Sequence, residues 1–239
     1  MKVAITFIGT NKYLDFLPKY YENIEKYFLP NTEKIILAFT DGELDDTPDN
    51  LKVYKQEHLD WPFITLKRFE IINKARDVID ECDWLVFIDA DALPVTTITE
   101  EEFFKDKPLF GVHHPCHFLK MEPHTQAPGA YEQNPKSEAY VDTSNGLPPV
   151  YWQGCLWGGK VPNVCAMIDE LEARVNRDLE NNIVALWHDE SQINRYFLER
   201  ITDVHTLGSE YAFPEVFKNS CTFEPKIVHL AKDNSEYQQ

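Results

Sequence analysis

Two aspartates flank a single alanine, Asp89-Ala90-Asp91, directly after the uninterrupted apolar run Trp84-Leu85-Val86-Phe87-Ile88. Carboxylates at this spacing can share a divalent cation with a phosphate-bearing ligand, because hard oxygen donors suit such ions. An acidic turn at the end of a strand accounts for the same residues without a ligand, and the spacing alone leaves both readings open. About a hundred residues downstream, Trp187-His188-Asp189-Glu190-Ser191 sets three ionisable side chains in a row where a helix begins. Helix capping explains Asp189 or Ser191. It does not explain His188, Asp189 and Glu190 together, and the group is read as functional.

Three further stretches have chemistry-bearing residues. Tyr151-Trp152-Gln153-Gly154-Cys155-Leu156-Trp157-Gly158-Gly159 mixes aromatics with glycines. Such a segment can approach and stack on a sugar or base, and an aromatic strand ending in a Gly-Gly turn reads equally well. His113-His114-Pro115-Cys116-His117 contains zinc-ligand types. Adjacent side chains on an extended segment point apart, and no second ligand pair follows, so a substrate-contacting or packing histidine is the favoured reading. Lys67-Arg68, taken alone, reads as a solvated pair.

The elements that must position these residues follow from periodicity. The apolar run before Asp89 is a strand buried on both faces, and the carboxyl ends of such strands are where open α/β sheets bind ligands. Val3–Ile8 is a first strand with a turn at Gly9-Thr10-Asn11; lone Gly9 does not make a dinucleotide fingerprint. A helix spans Leu14–Phe28, with strands at Lys34–Thr40 and Leu51–Gln56. One helix is predicted over Leu66–Ile79, with Thr65 as its cap and Phe69, Ile72, Ala75 and Ile79 on one face. A short helix over Thr99–Asp106 and a strand over Leu109–Val112 precede Met121–Pro149, a stretch rich in Pro, Gly and Ser that reads as a binding loop or flap. Pro162–Leu179 and a segment through Ile193, Tyr196 and Phe197 are helical, and Ile227–Leu230 is the one clear strand of the C-terminal part. Strand and helix alternate, which predicts an α/β fold with a mostly parallel sheet and right-handed crossovers.

The chain has 239 residues, 43% hydrophobic and 13% aromatic, enough for a sizeable core. A net charge of -17 opposes a nucleic-acid backbone, whereas a small phosphate-bearing molecule can still bind beside a metal or a local cation. Five cysteines without a Cys-x-x-Cys pair suit a reduced, cytoplasmic protein. The apolar start after Lys2 breaks at Gly9, too early for a signal peptide. No run approaches the roughly 18 apolar residues of a membrane span, so no membrane anchor is expected.

Asp89-Ala90-Asp91, Trp61-Pro62 with Thr65-Leu66-Lys67-Arg68-Phe69, His114-Pro115, Ser137-Glu138-Ala139-Tyr140, Tyr151 to Gly159, and Trp187 to Ser191 with Asn194-Arg195-Tyr196 together resemble glycosyltransferase family 6. That family includes the blood-group A and B transferases and α1,3-galactosyltransferase. The likeness runs in order from Ile8 to Lys232. It implies a single GT-A type, Rossmann-like nucleotide-diphosphosugar transferase domain over residues 1–239, with a nucleotide-binding part at about 1–95 and an acceptor and catalytic part at about 96–239. It further implies a retaining enzyme that moves galactose or N-acetylgalactosamine from a UDP-sugar to the 3-hydroxyl of an acceptor glycan.

By resemblance, Asp89 and Asp91 would hold Mn²⁺ (or Mg²⁺), and Arg68 would brace them and the donor. Ile8, Thr10 and Tyr13 would line a uracil pocket, Lys232 would reach the diphosphate, and Gln153, Gly154 and Cys155 would face the donor sugar. Glu190 would act as nucleophile or oxocarbenium stabiliser, Asp189 and His188 would contact the two sugars, and His114 and Trp187 would bind acceptor. Both Asp-x-Asp aspartates are kept, which favours metal dependence over the metal-free habit of some bacterial relatives. Cys155 adds bulk where a small residue admits an N-acetyl group, and Gln133-Asn134 replaces an Arg pair typical of that loop. The animal enzymes carry a membrane anchor and stem, so a soluble microbial or viral member is expected. A UDP-sugar hydrolase, a transferase with a glucosyl-type donor and an inactive sugar- or nucleotide-binding protein are the alternatives.

Overall fold

The computed structural model describes residues 1–115, 130–220 and 222–232. Four strands, Lys2–Ile8 (β1), Glu33–Thr40 (β2), Leu51–Lys55 (β3) and Trp84–Ile88 (β4), pair in parallel in the order β3-β2-β1-β4. All five residues of β4 are buried, as a strand covered on both faces requires. Its side chains alternate between two cores: Leu85 and Phe87 join Phe69, Ile72 and Trp157, while Val86 and Ile88 join Tyr20, Ile24 and Phe28.

Beyond β4 the sheet continues through Trp152–Lys160 (β7), Leu109–His113 (β6) and Val204–Leu207 (β8). β7 runs antiparallel to both its neighbours, whereas β6 and β8 are parallel. The result is the expected α/β architecture with a mostly parallel central sheet of seven strands, crossed by one reversed strand. A three-stranded sheet beside it joins Ala92–Pro94 (β5) antiparallel to Ile227–His229 (β10), which in turn pairs with Phe213–Pro214 (β9).

Gly158 and Gly159 lie inside β7, so the strand does not end in a Gly-Gly turn, one of the two readings of this stretch. A Cβ on Gly158 would stand 2.2 Å from the Leu85 carbonyl oxygen and one on Gly159 2.4 Å from that of Pro108. Close backbone approach, not a turn, is what these glycines provide.

The expected helix from Leu14 begins at Leu17: Asn11–Phe16 is a 3-10 turn and Leu17–Tyr27 is α1, with Pro18 in its first turn where no backbone donor is lost. The single helix expected over Leu66–Ile79 is three pieces, Phe63–Leu66 (α2), Arg68–Asn73 (α3) and Arg76–Ile79 (α4). The breaks fall at Lys67 and Ala75, where ψ opens to 12° and 19°. Thr65 sits within α2 and donates to the Pro62 carbonyl at 2.8 Å instead of capping. The apolar face survives the breaks: Phe69, Ile72, Ala75 and Ile79 are all buried.

Glu100–Phe103 (α5) is capped by Thr99, whose side chain accepts from Glu102 N, and is shorter than expected. Val161–Glu180 (α6) and His188–Glu199 (α7) bury the predicted apolar faces. Residues 130–150 form no helix or strand, yet buried carboxylates order them. Glu132 accepts from Leu186 N and Asn134 N, both at 2.6 Å, and Asp178 accepts from Ser137 Oγ, Glu138 N and Gln192 Nε2 at 2.7 to 2.8 Å. Cys116, His117, residues 121–129 of the expected flap and Cys221 lie outside the described residues. Cys82, Cys155 and Cys165 are free thiols. Among the described residues no helix is long and apolar enough to cross a membrane.

Candidate active site

At the end of β4 the chain turns through Asp89-Ala90-Asp91, closed by Ala92 N donating to the Asp89 carbonyl at 2.9 Å, and enters β5. Asp89 N also donates to the Cys155 carbonyl of β7 at 2.9 Å. The two carboxylates therefore face different partners. Asp89 Oδ1 lies 3.4 Å from Arg68 Nη2. Asp91 is ion-paired with Lys232 Nζ and has His229 Nδ1 3.9 Å from its Oδ1. A carboxylate oxygen from each aspartate and one ring nitrogen of His229 all lie within 4.8 Å of one another.

Arg68 links this cluster to the second one. Only 7% of the residue is exposed, and its guanidinium carbon stands 4.3 Å from the Phe87 ring centroid. Nη1 donates to the Gly154 carbonyl at 2.8 Å and pairs with Asp189 Oδ2 at 2.9 Å. One planar, multi-donor cation thus holds Asp89, β7 and Asp189 in fixed relation, a task for which a lysine has too few directed donors.

Glu190, in the first turn of α7, accepts from Tyr151 Oη at 2.8 Å and from Gly154 N at 2.7 Å. Asn194 fastens the same turn to β7: its amide donates to the carbonyls of Trp152 (2.7 Å) and Glu190 (2.9 Å) and accepts from Trp152 N at 2.9 Å. Gly154 leaves room for this contact, since a Cβ there would be 3.0 Å from Glu190 Cβ and 3.3 Å from Asp189 Oδ2. His188 opens the helix at φ 48°, and its ring meets Trp61 edge-on at 4.8 Å.

Electrostatics follow from burial. Burial pushes the Asp189 and Glu190 carboxyls up to about 7; Arg68 opposes the rise at Asp189, and the Gly154 and Tyr151 donors oppose it at Glu190. Asp89 is raised by burial too, against the pull of Arg68. Burial, then Arg68, lowers His188, which stays neutral at pH 7. Burial disfavours the Lys232 ammonium, but Asp91 outweighs it and raises the group above its ordinary value.

Two adjoining cavities meet here. The larger, about 280 Å³, is lined by Ile8, Thr10, Tyr13, Asp91, His229 and Lys232 among others. The smaller, about 180 Å³, is lined by Gln153, Gly154, Cys155, Trp187, His188, Asp189 and Glu190. Thr65, Arg68, Asp89 and Gln153 border both, so the two form one trough with the acids at its middle. Of the site residues expected from sequence, all but His114 line this trough. His114 packs edge-on against Tyr151 at 5.7 Å and donates its backbone N–H to the Tyr151 carbonyl, one residue removed from Glu190.

Sequence reasoning missed His58, Trp61, Ile64, Phe87 and His229 as lining residues. His58 Nδ1 lies 2.9 Å from Thr10 Oγ1. His229 had a usable signal, three residues before Lys232 on the one strand recognised in the C-terminal part. The two carboxylates and the imidazole make an oxygen- and nitrogen-donor set that fits a divalent first-row ion. His229 Nε2, buried with no hydrogen-bond partner, agrees with a site that expects a further group.

A family model described as glycosyltransferase family 6 matches residues 1–239. The chain is 29% identical over 240 residues to the O-antigen biosynthesis glycosyltransferase WbnI of Escherichia coli, covering 99% of this chain and 97% of that protein. It is 28% identical over 239 residues to histo-blood group ABO system transferase 2 of Rattus norvegicus, covering 96% of this chain and 68% of the rat protein. Globoside alpha-1,3-N-acetylgalactosaminyltransferase 1 of Mus musculus is 27% identical over 207 residues, covering 83% of this chain and 57% of the mouse protein.

Proposed function

The chain belongs to glycosyltransferase family 6, and we propose that it is a metal-dependent, retaining transferase. It moves a hexose or N-acetylhexosamine of galactose type from a UDP-sugar to a hydroxyl, the 3-hydroxyl, of an acceptor glycan. The observation that carries this reading is the single trough in which Arg68 bridges from Asp89 of the Asp-x-Asp pair to Asp189 beside Glu190. A nucleoside diphosphate and a sugar need those two environments side by side.

Asp89 and Asp91 would hold Mn²⁺, or Mg²⁺, and the bound ion would supply positive charge to offset that of a departing diphosphate. Ile8, Thr10 and Tyr13, which line the larger cavity, would take the uracil. Lys232, kept protonated beside Asp91, adds a second cation near the leaving group. Loss of the diphosphate builds positive character on the anomeric carbon, which an anionic carboxylate stabilises. Glu190 suits this role as nucleophile or as oxocarbenium stabiliser, because Tyr151 and Gly154 fix both of its oxygens in place. Arg68 holds Asp189 against the same region. Trp187 and neutral His188, which line the smaller cavity, would bind the acceptor together with His114, which packs edge-on against Tyr151.

Cys155, 3% exposed, narrows the sugar end of the trough. A glucosyl-type donor is the second reading, favoured by Gln153, whose Oε1 is buried without a partner at the seam of the two cavities and could meet a sugar hydroxyl. Free thiols on Cys82, Cys155 and Cys165 suit a cytoplasmic location. The test is UDP release from a panel of UDP-sugars, with and without Mn²⁺ and with and without glycan acceptors. Release is expected to need both Mn²⁺ and an acceptor. No release in any condition refutes the enzyme, release without acceptor makes it a hydrolase, and metal-independent turnover removes the role given to Asp89 and Asp91.

A further inference from the structure

We propose that His229 is a third protein ligand of the divalent cation, so that the metal site is complete only with the C-terminal strand docked. The inference rests on the metal-dependent reading above and adds to it a residue from the other end of the chain. Backbone pairing brings His229 to the site: β10 pairs antiparallel with β5, opposing His229 to Ala92, the residue after Asp91. Leu230 N donates to the Asp91 carbonyl at 3.0 Å and extends that register past the acids.

The imidazole is held there without a competing partner. Nδ1 lies 3.9 Å from Asp91 Oδ1, beyond hydrogen-bond reach, and Nε2 is buried with no partner. A buried ring nitrogen left this way carries a desolvation cost that a ligand would offset. The three candidate donor atoms already lie within 4.8 Å of one another. Donors at ordinary bond lengths of about 2.1–2.3 Å stand roughly 3 Å apart when adjacent and about 4.4 Å apart when opposite. Small side-chain rotations therefore close the group on one ion. Imidazole joining two carboxylates also favours Mn²⁺ over Mg²⁺, which prefers oxygen and water.

His229 and Lys232 reach Asp91 on the same stretch of chain. The metal and the donor diphosphate therefore both engage the C-terminal segment.

The experiment titrates the full-length protein with Mn²⁺ alone, reads bound against free ion by EPR, and examines the bound ion by pulsed EPR for ¹⁴N coupling. The wild-type protein should show a directly coordinated nitrogen. His229→Asn should lose that signal and weaken Mn²⁺ binding about tenfold or more, while His58→Asn, which removes the other imidazole lining the larger cavity, should keep both. Asp89→Asn should weaken Mn²⁺ binding whatever His229 does. Tight Mn²⁺ binding with no nitrogen ligand overturns the role of His229 and leaves metal dependence standing. No Mn²⁺ binding, or binding indifferent to Asp89→Asn, overturns both. The ¹⁴N signal is read on the wild-type protein, so the outcome does not depend on a variant that folds.

Discussion

Replacing Glu190 by Gln should stabilise the protein at alkaline pH while removing its activity. Glu190 is half-buried, and desolvation is the main cause that pushes its carboxyl up from 4.5 to about 7. Between these two values the unfolded chain has already released this proton and the folded chain has not, so the native state binds more protons. Stability then falls as pH rises through that window and levels off above about 7. At about 1.4 kcal/mol per pH unit the gap amounts to about 3 kcal/mol. Gln keeps the shape and can still meet Tyr151 and Gly154, but carries no charge to desolvate. Urea unfolding of both proteins at pH 5 and pH 9 measures the effect, and comparing them at equal pH cancels most other titrating groups. The advantage of Glu190→Gln should be small at pH 5 and grow by about 3 kcal/mol by pH 9. An advantage that stays flat or shrinks with pH would refute the argument that burial governs this carboxyl. Turnover of the same variant should fall at least about a hundredfold with donor binding retained.

Gly154→Ala inserts a Cβ 3.0 Å from Glu190 Cβ, which should cost about 1–2 kcal/mol in thermal unfolding and lower kcat more than donor affinity. Arg68→Met leaves Asp189 and the Gly154 carbonyl without their cation. Denaturant titration should show a loss of about 3 kcal/mol at pH 8 that shrinks at pH 5, where Asp189 takes up a proton. Asp178→Ala strands the Ser137, Glu138 and Gln192 donors. Amide exchange should quicken across residues 130–141, and acceptor KM should rise with little change in donor KM.

What the sequence made legible was local. The five-residue apolar run before Asp89 reads as a doubly buried strand because no polar residue interrupts it, and α6 is visible because its apolar positions repeat at helical spacing. The direction of β7 was not legible, since pairing sense is set by the strands on either side. The breaks at Lys67 and Ala75 were hidden for a similar reason: Phe69, Ile72 and Ala75 keep helical spacing while the backbone hydrogen bonds are interrupted. β8, with His205 and Thr206 between its buried ends, lacks an apolar run long enough to mark it. In the site, the acids announced themselves by adjacency, whereas His229 meets them only through the β5–β10 register. His114 is far from Tyr151 in sequence and meets it only through the fold, edge-on at 5.7 Å.

The hydrogen bond from Asp89 N to the Cys155 carbonyl continues the pairing of β4 with β7, Ile88 against Leu156. It makes the sheet a ruler. Adjacent strands are about 4.8 Å apart, and Asp89, the residue after β4, faces β7 next to the Gly154 that supports Glu190 across that one interval. The spacing between Asp89 and the Gly154 that supports Glu190 is therefore fixed by the pairing of the central strands. Residues 130–150, tied to the rest of the chain through their own Glu132 on Leu186 N and through Asp178 on Ser137, stand off the ruler. Tyr131 packs on Tyr151 at 5.1 Å, so an exchange of that segment has to keep Tyr131 if the Tyr151 support of Glu190 is to stay as it is.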